Sequence, residues 1–353
     1  MSLAPAQPPA QPARPVRLLV PDVARGLMLW GIAVANVATA WVVFAGGPAS
    51  MTGRVVDDSF WDKLTIMFTT SFVHARGFPM FSTLLGFGVG LIAASLYRRG
   101  YPLPKARGVI ARRYGMLAIF GALHMVFLFW GDIMLAYGLI GLFMACLIAV
   151  RTRVLLWVAG SLFAVTNLVA LAGALLLESV LGGGQLQELL NGGSGDLLQV
   201  TSYWSVLLNG LIVLLGSIFG IPLQAFMLLP LMLLGFVLAR EGVLADPVRH
   251  RRVLAWLAGV DAGAPVPALL RPLIALGKRS MTGYVLQSVI FLGVFGSFAL
   301  GLFADAGAAL LLLVGSAGWL VTVLVAVALE AAGKPGPLEA LHRRMSYGKG
   351  GLK

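Results

Sequence analysis

Asp22, Arg25 and Asn36 lie inside an apolar run over residues 18–44, long enough to cross a bilayer, so their polarity needs a reason. On one helix Asp22 and Arg25 are three residues apart, and Arg25 and Asn36 are eleven apart. At 100° per residue that leaves the last two about 20° from eclipsed, so the three form one polar stripe. A charged side chain facing lipid costs on the order of 3 kcal/mol, so the stripe is expected to face protein or a water-filled cavity. An Asp22–Arg25 ion pair at the membrane edge, with the arginine snorkelling, explains it without chemistry. A binding site is the other explanation.

His124 is the second candidate. It stands in Gly121-Ala-Leu-His124, about two turns before Asp132, near the expected outer end of its helix. A buried neutral imidazole bonded to a backbone carbonyl is one reading. The other is a general base, because a neutral imidazole in a dry pocket takes a hydroxyl or amine proton near neutral pH. Asp132 is placed to orient it. His74 and Arg76 straddle a break before Pro79, where an arginine either anchors at the interface or binds an anionic or carbonyl group. Tyr284, Gln287 and Ser288 share one helical face at i, i+3 and i+4, polar where lipid favours leucine. Hydrogen bonding between helices is the plain explanation and substrate binding the functional one. HExxH, CxxC and Gly-x-Ser-x-Gly patterns are absent, so the sequence supports neither metal nor serine-hydrolase chemistry.

The elements that must position these residues are membrane helices. The 353 residues are 59% hydrophobic and 11% charged, with a mean hydropathy of +0.91. Soluble chains carry roughly a quarter charged residues, so this composition excludes a soluble domain. Apolar segments run over 18–44, 60–97, 114–131, 133–150, 154–180, 201–239, 281–303 and 309–329. Most match the ~20 residues of a spanning helix. The 60–97 and 201–239 segments are nearly twice that length and are expected to break at His74–Pro79 and at Gly220–Pro222. Each then forms either two spans or a re-entrant piece followed by one span. Residues 1–17 lack a hydrophobic signal core, which makes the first helix its own insertion signal.

If both long segments cross once, all but four of the 26 Lys and Arg fall on one side. The expected fold is therefore an all-α polytopic bundle of about eight spans, ten at most, with both termini cytoplasmic in an inner (plasma) membrane. A disordered tail over 1–17, a bundle over 18–240, a cytoplasmic connector over 241–272 and a C-terminal pair with a basic tail over 273–353 complete the organisation. The net charge of +12 then serves orientation and contact with anionic lipid headgroups, not nucleic acid. Residues 181–200 read as a Gly-rich linker, and Gly86 to Gly90 as a small-residue helix contact. The single cysteine, Cys146, reads as core filler.

Four ordered blocks resemble the YeiB-like family, whose C-terminal domain is of unknown function. They are Asp22 to Asn36; Phe81 to Gly88; Leu123-His124 through Ile133; and Ala275 to Ser288 with Gly336 to Gly348. That family is similar to the transmembrane acyltransferases, which take acyl-CoA from the cytoplasm and acylate an acceptor across the membrane. The resemblance implies that Arg25, with Asp22, contacts the acyl-CoA donor and that an envelope glycan or lipid is the acceptor. In an acyl transfer the Asn36 amide is expected to donate a hydrogen bond to developing negative charge. The bacterial glycan acyltransferases carry a histidine eleven residues after the arginine. Here that position is Asn36, which cannot act as a base, so proton transfer moves to His124. A transporter using the polar stripe as its path, or a non-catalytic membrane scaffold, are the other function classes.

Overall fold

The computed structural model describes residues 19–48, 50, 52–74, 77–192, 200–243 and 267–348, with the backbone path alone for 181–192. Regular structure among them is helical throughout. In chain order it comprises α1 (Val20–Phe44), α2 (Phe60–Phe72), α3 (Gly77–Arg98), α4 (Leu103–Phe127), α5 (Met134–Leu147) and α6 (Thr152–Gly192). There follow α7 (Tyr203–Arg240), α8 (Arg271–Gly277), α9 (Ser280–Phe295), α10 (Ala308–Ala331) and α11 (Pro337–Tyr347). Among the described residues six stretches are long and apolar enough to cross a membrane: α1, α2 with α3, α4, α6, α7 and α10. α5 and α9 are apolar but shorter. The protein is an all-helical integral membrane protein. Large side chains such as Leu168, Phe219 and Leu223 stand exposed on α6 and α7, as a lipid-facing surface requires.

Three local expectations are corrected. α7 runs unbroken through Pro222 and Pro230. A proline removes one N–H, whereas opening the helix in lipid would strand several backbone groups, so the helix continues. Residues 181–192 continue α6 and are not a linker. Cys146 is exposed, on the outward face it shares with Leu139, Leu142 and Phe143. The expected break after α2 is observed at Val73 and His74, which form a turn. The 1–17 tail, residues 244–266 of the connector and Arg76 lie outside the described residues.

Small residues set the helix spacing around the site. A Cβ added to Gly86 or Gly235 would come within 1.8 or 1.9 Å of a carbonyl oxygen on the facing helix, so α3 and α7 touch backbone to backbone. Gly121 and Gly138 do the same for the α4–α5 hairpin, against Leu135 and Ala118. Gly277 on α8 meets the Asp22 carbonyl on α1 in the same way. Carboxylates cap the other elements. Asp62 on α2, 4% exposed, accepts N–H bonds from Val56 at 3.0 Å and from Ala309 at the start of α10 at 2.8 Å. Glu339 on α11 accepts from the Met281 and Thr282 N–H groups in the first turn of α9, at 2.7 and 3.0 Å. Each carboxylate thereby satisfies N–H groups that the first turn of a helix leaves unpaired.

Candidate functional site

His124 lies in the last turn of α4, where its carbonyl accepts N–H bonds from Leu128 and Phe129, both at 2.9 Å, and ends the helix. The chain reverses over 128–133 and delivers Asp132 to the start of α5. There the Asp132 Oδ2 accepts the Leu135 N–H at 2.8 Å. Its Oδ1 lies 2.8 Å from His124 Nδ1. One carboxylate thus caps a helix and orients an imidazole, and eight residues of spacing become a direct contact because the hairpin folds back. An ionised carboxylate only accepts, so Nδ1 donates to it and Nε2 is left as an acceptor. Ser288 Oγ, from the middle of α9, stands 2.8 Å from that Nε2. Asp132, His124 and Ser288 form an unbroken hydrogen-bonded chain, all three buried.

The surroundings are aromatic. The Tyr284 ring centroid lies 5.0 Å from that of His124, and Phe129 approaches edge-on at 6.3 Å. Phe129 is itself stacked on Trp41 at 4.6 Å. Trp41 closes a π-helical segment, Val37–Trp41, that begins just after Asn36. Such one-turn widenings of a helix recur at functional sites. Beside the triad opens a cavity of about 80 Å³. α1 contributes Ala35 and Asn36, α3 Phe78 and Phe81, α5 Tyr137, and α9 Tyr284. Gly131 and Ile133, on either side of Asp132, complete the wall, so cavity and triad share the 128–133 turn.

Of the residues singled out from sequence, His124, Asp132, Ser288 and Tyr284 come together, and Asn36 lines the adjoining cavity. Gln287 turns away. Its Nε2 donates to the Leu29 carbonyl at 3.3 Å and ties α9 to α1. The common face of Tyr284, Gln287 and Ser288 is therefore divided between the site and a helix contact. Asp22 and Arg25 form an ion pair at 3.6 Å, and the Arg25 guanidinium donates to the Leu84 carbonyl at 3.5 Å. At about 1.5 Å per residue, Arg25 lies about 16 Å and Asp22 about 21 Å from Asn36 along α1. A Cβ at Gly88 would stand 3.8 Å from the guanidinium and 3.7 Å from the Tyr114 hydroxyl, so the glycine leaves room around both. His74 is at the α2–α3 break next to Val73, which lines the cavity. Its Nε2 is buried and has no hydrogen-bond partner among the described residues.

Sequence reasoning missed the meeting of Ser288 with His124, since 164 residues separate them and no elbow motif marks the serine. The signal present was a serine on the polar face of an otherwise apolar helix. Tyr137, stacked on Phe81 at 5.5 Å beside the cavity, carried no signal, and Phe81 stood out only as the start of a block that resembles the YeiB-like family. Among the described residues no cluster of His, Cys, Asp or Glu could hold a metal ion.

Comparison with known proteins finds a similarity in the C-terminal part. Residues 211–349 match the model of DUF418, a protein family of unknown function, the YeiB-like C-terminal domain. The match contains Ser288 and Tyr284, while His124 and Asp132 precede it. The uncharacterized protein YxaH of Bacillus subtilis (strain 168) is 25% identical, with 94% of each chain covered. No solved structure matches the chain.

Proposed function

We propose that this protein is an inner-membrane acyltransferase that moves an acyl group from cytoplasmic acyl-CoA to a hydroxyl of an envelope glycan or lipid. The observation that carries the reading is His124, with Nδ1 held by a buried carboxylate and Nε2 facing a hydroxyl, both at 2.8 Å. An imidazole fixed in this way is a general base in position, an arrangement that contributes typically 10²–10⁴-fold to a rate. Asp132 keeps the acceptor lone pair on Nε2 and stabilises the imidazolium that forms. Asn36, on the cavity wall, donates to the oxygen on which negative charge develops. Tyr284 contacts the acyl group, as does His74 at the cavity rim. Arg25, held by Asp22, meets the phosphates of the donor. Basic residues at the helix ends bind anionic headgroups of the cytoplasmic leaflet.

Purified protein in liposomes, given radiolabelled acetyl-CoA and an extract of envelope glycans and lipids, tests the proposal. Label transfers with the wild type and falls at least 100-fold with His124→Ala. Equal transfer by the two proteins removes His124 as the base, and no transfer by either removes the acyltransferase reading.

A further inference from the structure

We infer that Ser288 is a nucleophile that carries the acyl group as a covalent ester between donor and acceptor. This inference rests on the acyl-transfer reading and adds a step to it. Its ground is which acceptor the Ser288 hydroxyl lies nearest. Hydroxyls inside helices ordinarily bond back to the carbonyl four residues earlier. Thr39, Thr69, Ser82 and Thr83 do so here, at 2.9, 2.9, 2.7 and 2.8 Å. Ser288 lies 3.5 Å from the Tyr284 carbonyl and 2.8 Å from His124 Nε2. Its hydroxyl therefore sits closer to a base than to its backbone acceptor, and that base is backed by a buried carboxylate. A hydroxyl, an imidazole and a carboxylate in series make an activated nucleophile whatever the fold that presents them.

In the first half-reaction Ser288 Oγ attacks the thioester carbonyl while its proton passes to His124 Nε2. The C–S bond breaks, the thiol of CoA leaves with that proton, and an oxyester remains on Ser288. In the second, the acceptor hydroxyl gives its proton to the same Nε2 and attacks the ester. The bond to Ser288 breaks and the serine recovers the proton. An acyl group in the cavity would reach the hydroxyl past Tyr284, which lines the cavity and packs on His124. A mid-helix serine has its own N–H committed to the helix, so it lacks the backbone oxyanion donor of a strand-to-helix elbow. A side chain must replace it, and Asn36 on the cavity wall has the amide to do so. The cavity, of about 80 Å³, suits a short acyl group and not a long chain.

The test uses the full chain in detergent with an alkyl fluorophosphonate, a probe that reacts with activated serines and needs no acyl donor. Peptide mass spectrometry is expected to find the phosphonyl group on Ser288 in the wild type. It should be absent from Ser288→Ala and form about 100-fold more slowly in His124→Ala. Elution of each variant as a monodisperse peak shows that it is folded. In parallel, protein given radiolabelled acetyl-CoA without acceptor retains label after acid quench. With Ser288→Cys the adduct becomes a thioester, released by neutral hydroxylamine, a change that a merely structural serine cannot produce. Folded wild type unlabelled at Ser288 by the phosphonate overturns the inference. So does acyl transfer by Ser288→Ala at the wild-type rate, which leaves the acyltransferase reading standing.

Discussion

Asp132 shows how much one side chain can settle. It accepts the Leu135 N–H with one oxygen and holds His124 with the other, so the hairpin and the geometry of the proposed site depend on the same carboxylate. Asp132→Asn keeps the shape and replaces an obligate acceptor with an amide that can donate, turning the imidazole to the wrong tautomer. Transfer measured in liposomes should fall on the order of 10³–10⁴-fold with little loss of folded protein. His342 on α11 is buried elsewhere, its Nε2 donating to the Arg113 carbonyl at 2.9 Å. Burial first, and then the Arg113 charge, holds its pKa below the ordinary 6.5. The unfolded chain therefore takes up this proton before the folded one does. The contribution to stability is full above pH 6.5 and is lost as pH falls below it. Thermal melts in detergent at pH 7.5 and 5.5 should show a larger drop for the wild type than for His342→Gln.

At the scale of elements, α9 matters most because it offers Ser288 to His124 and Gln287 to α1, and its position is set at its N-terminal end. Glu339 caps its first turn, accepting from two N–H groups and from the Thr282 hydroxyl. Lys278 and Arg279, just before it, pair with Glu330 near the end of α10. Glu339→Ala leaves the N–H groups of α9 without their acceptor and should cost about 1–3 kcal/mol. It should also release α11 and expose the face that covers Arg113, readable as earlier proteolysis within 337–347. Much of this was legible in advance. The Gly86–Gly90 contact was read as close packing, and Gly86 indeed meets the Met232 backbone. The expected break at Gly220–Pro222 was not found, because a proline is read locally, whereas whether a helix opens depends on what surrounds it.

At the scale of the whole molecule, the site lies where the α4–α5 hairpin meets α1, α3 and α9, so no contiguous piece of the chain contains it. The orientation proposed from charge is open to direct measurement. In a Cys146→Ser background, Asp305→Cys should react with a membrane-impermeant maleimide on intact cells, and Lys105→Cys only after permeabilisation. The opposite pattern would invert the bundle and place Arg25 away from cytoplasmic CoA.

Composition and hydrophobic runs alone determined that this is an all-helical membrane protein, because the bilayer imposes its length and polarity on every crossing segment. The expense of a polar side chain in such a segment also named His124, Asp132, Asn36, Tyr284 and Ser288 as residues to watch. Tertiary structure decided their grouping. It drew Ser288 onto His124 across 164 residues, sent Gln287 to the Leu29 carbonyl, and kept the Asp22–Arg25 pair well along α1 from the triad. A helical face records that a side chain avoids lipid. Which partner receives it depends on how the glycines let the helices approach, and that is fixed only when they pack.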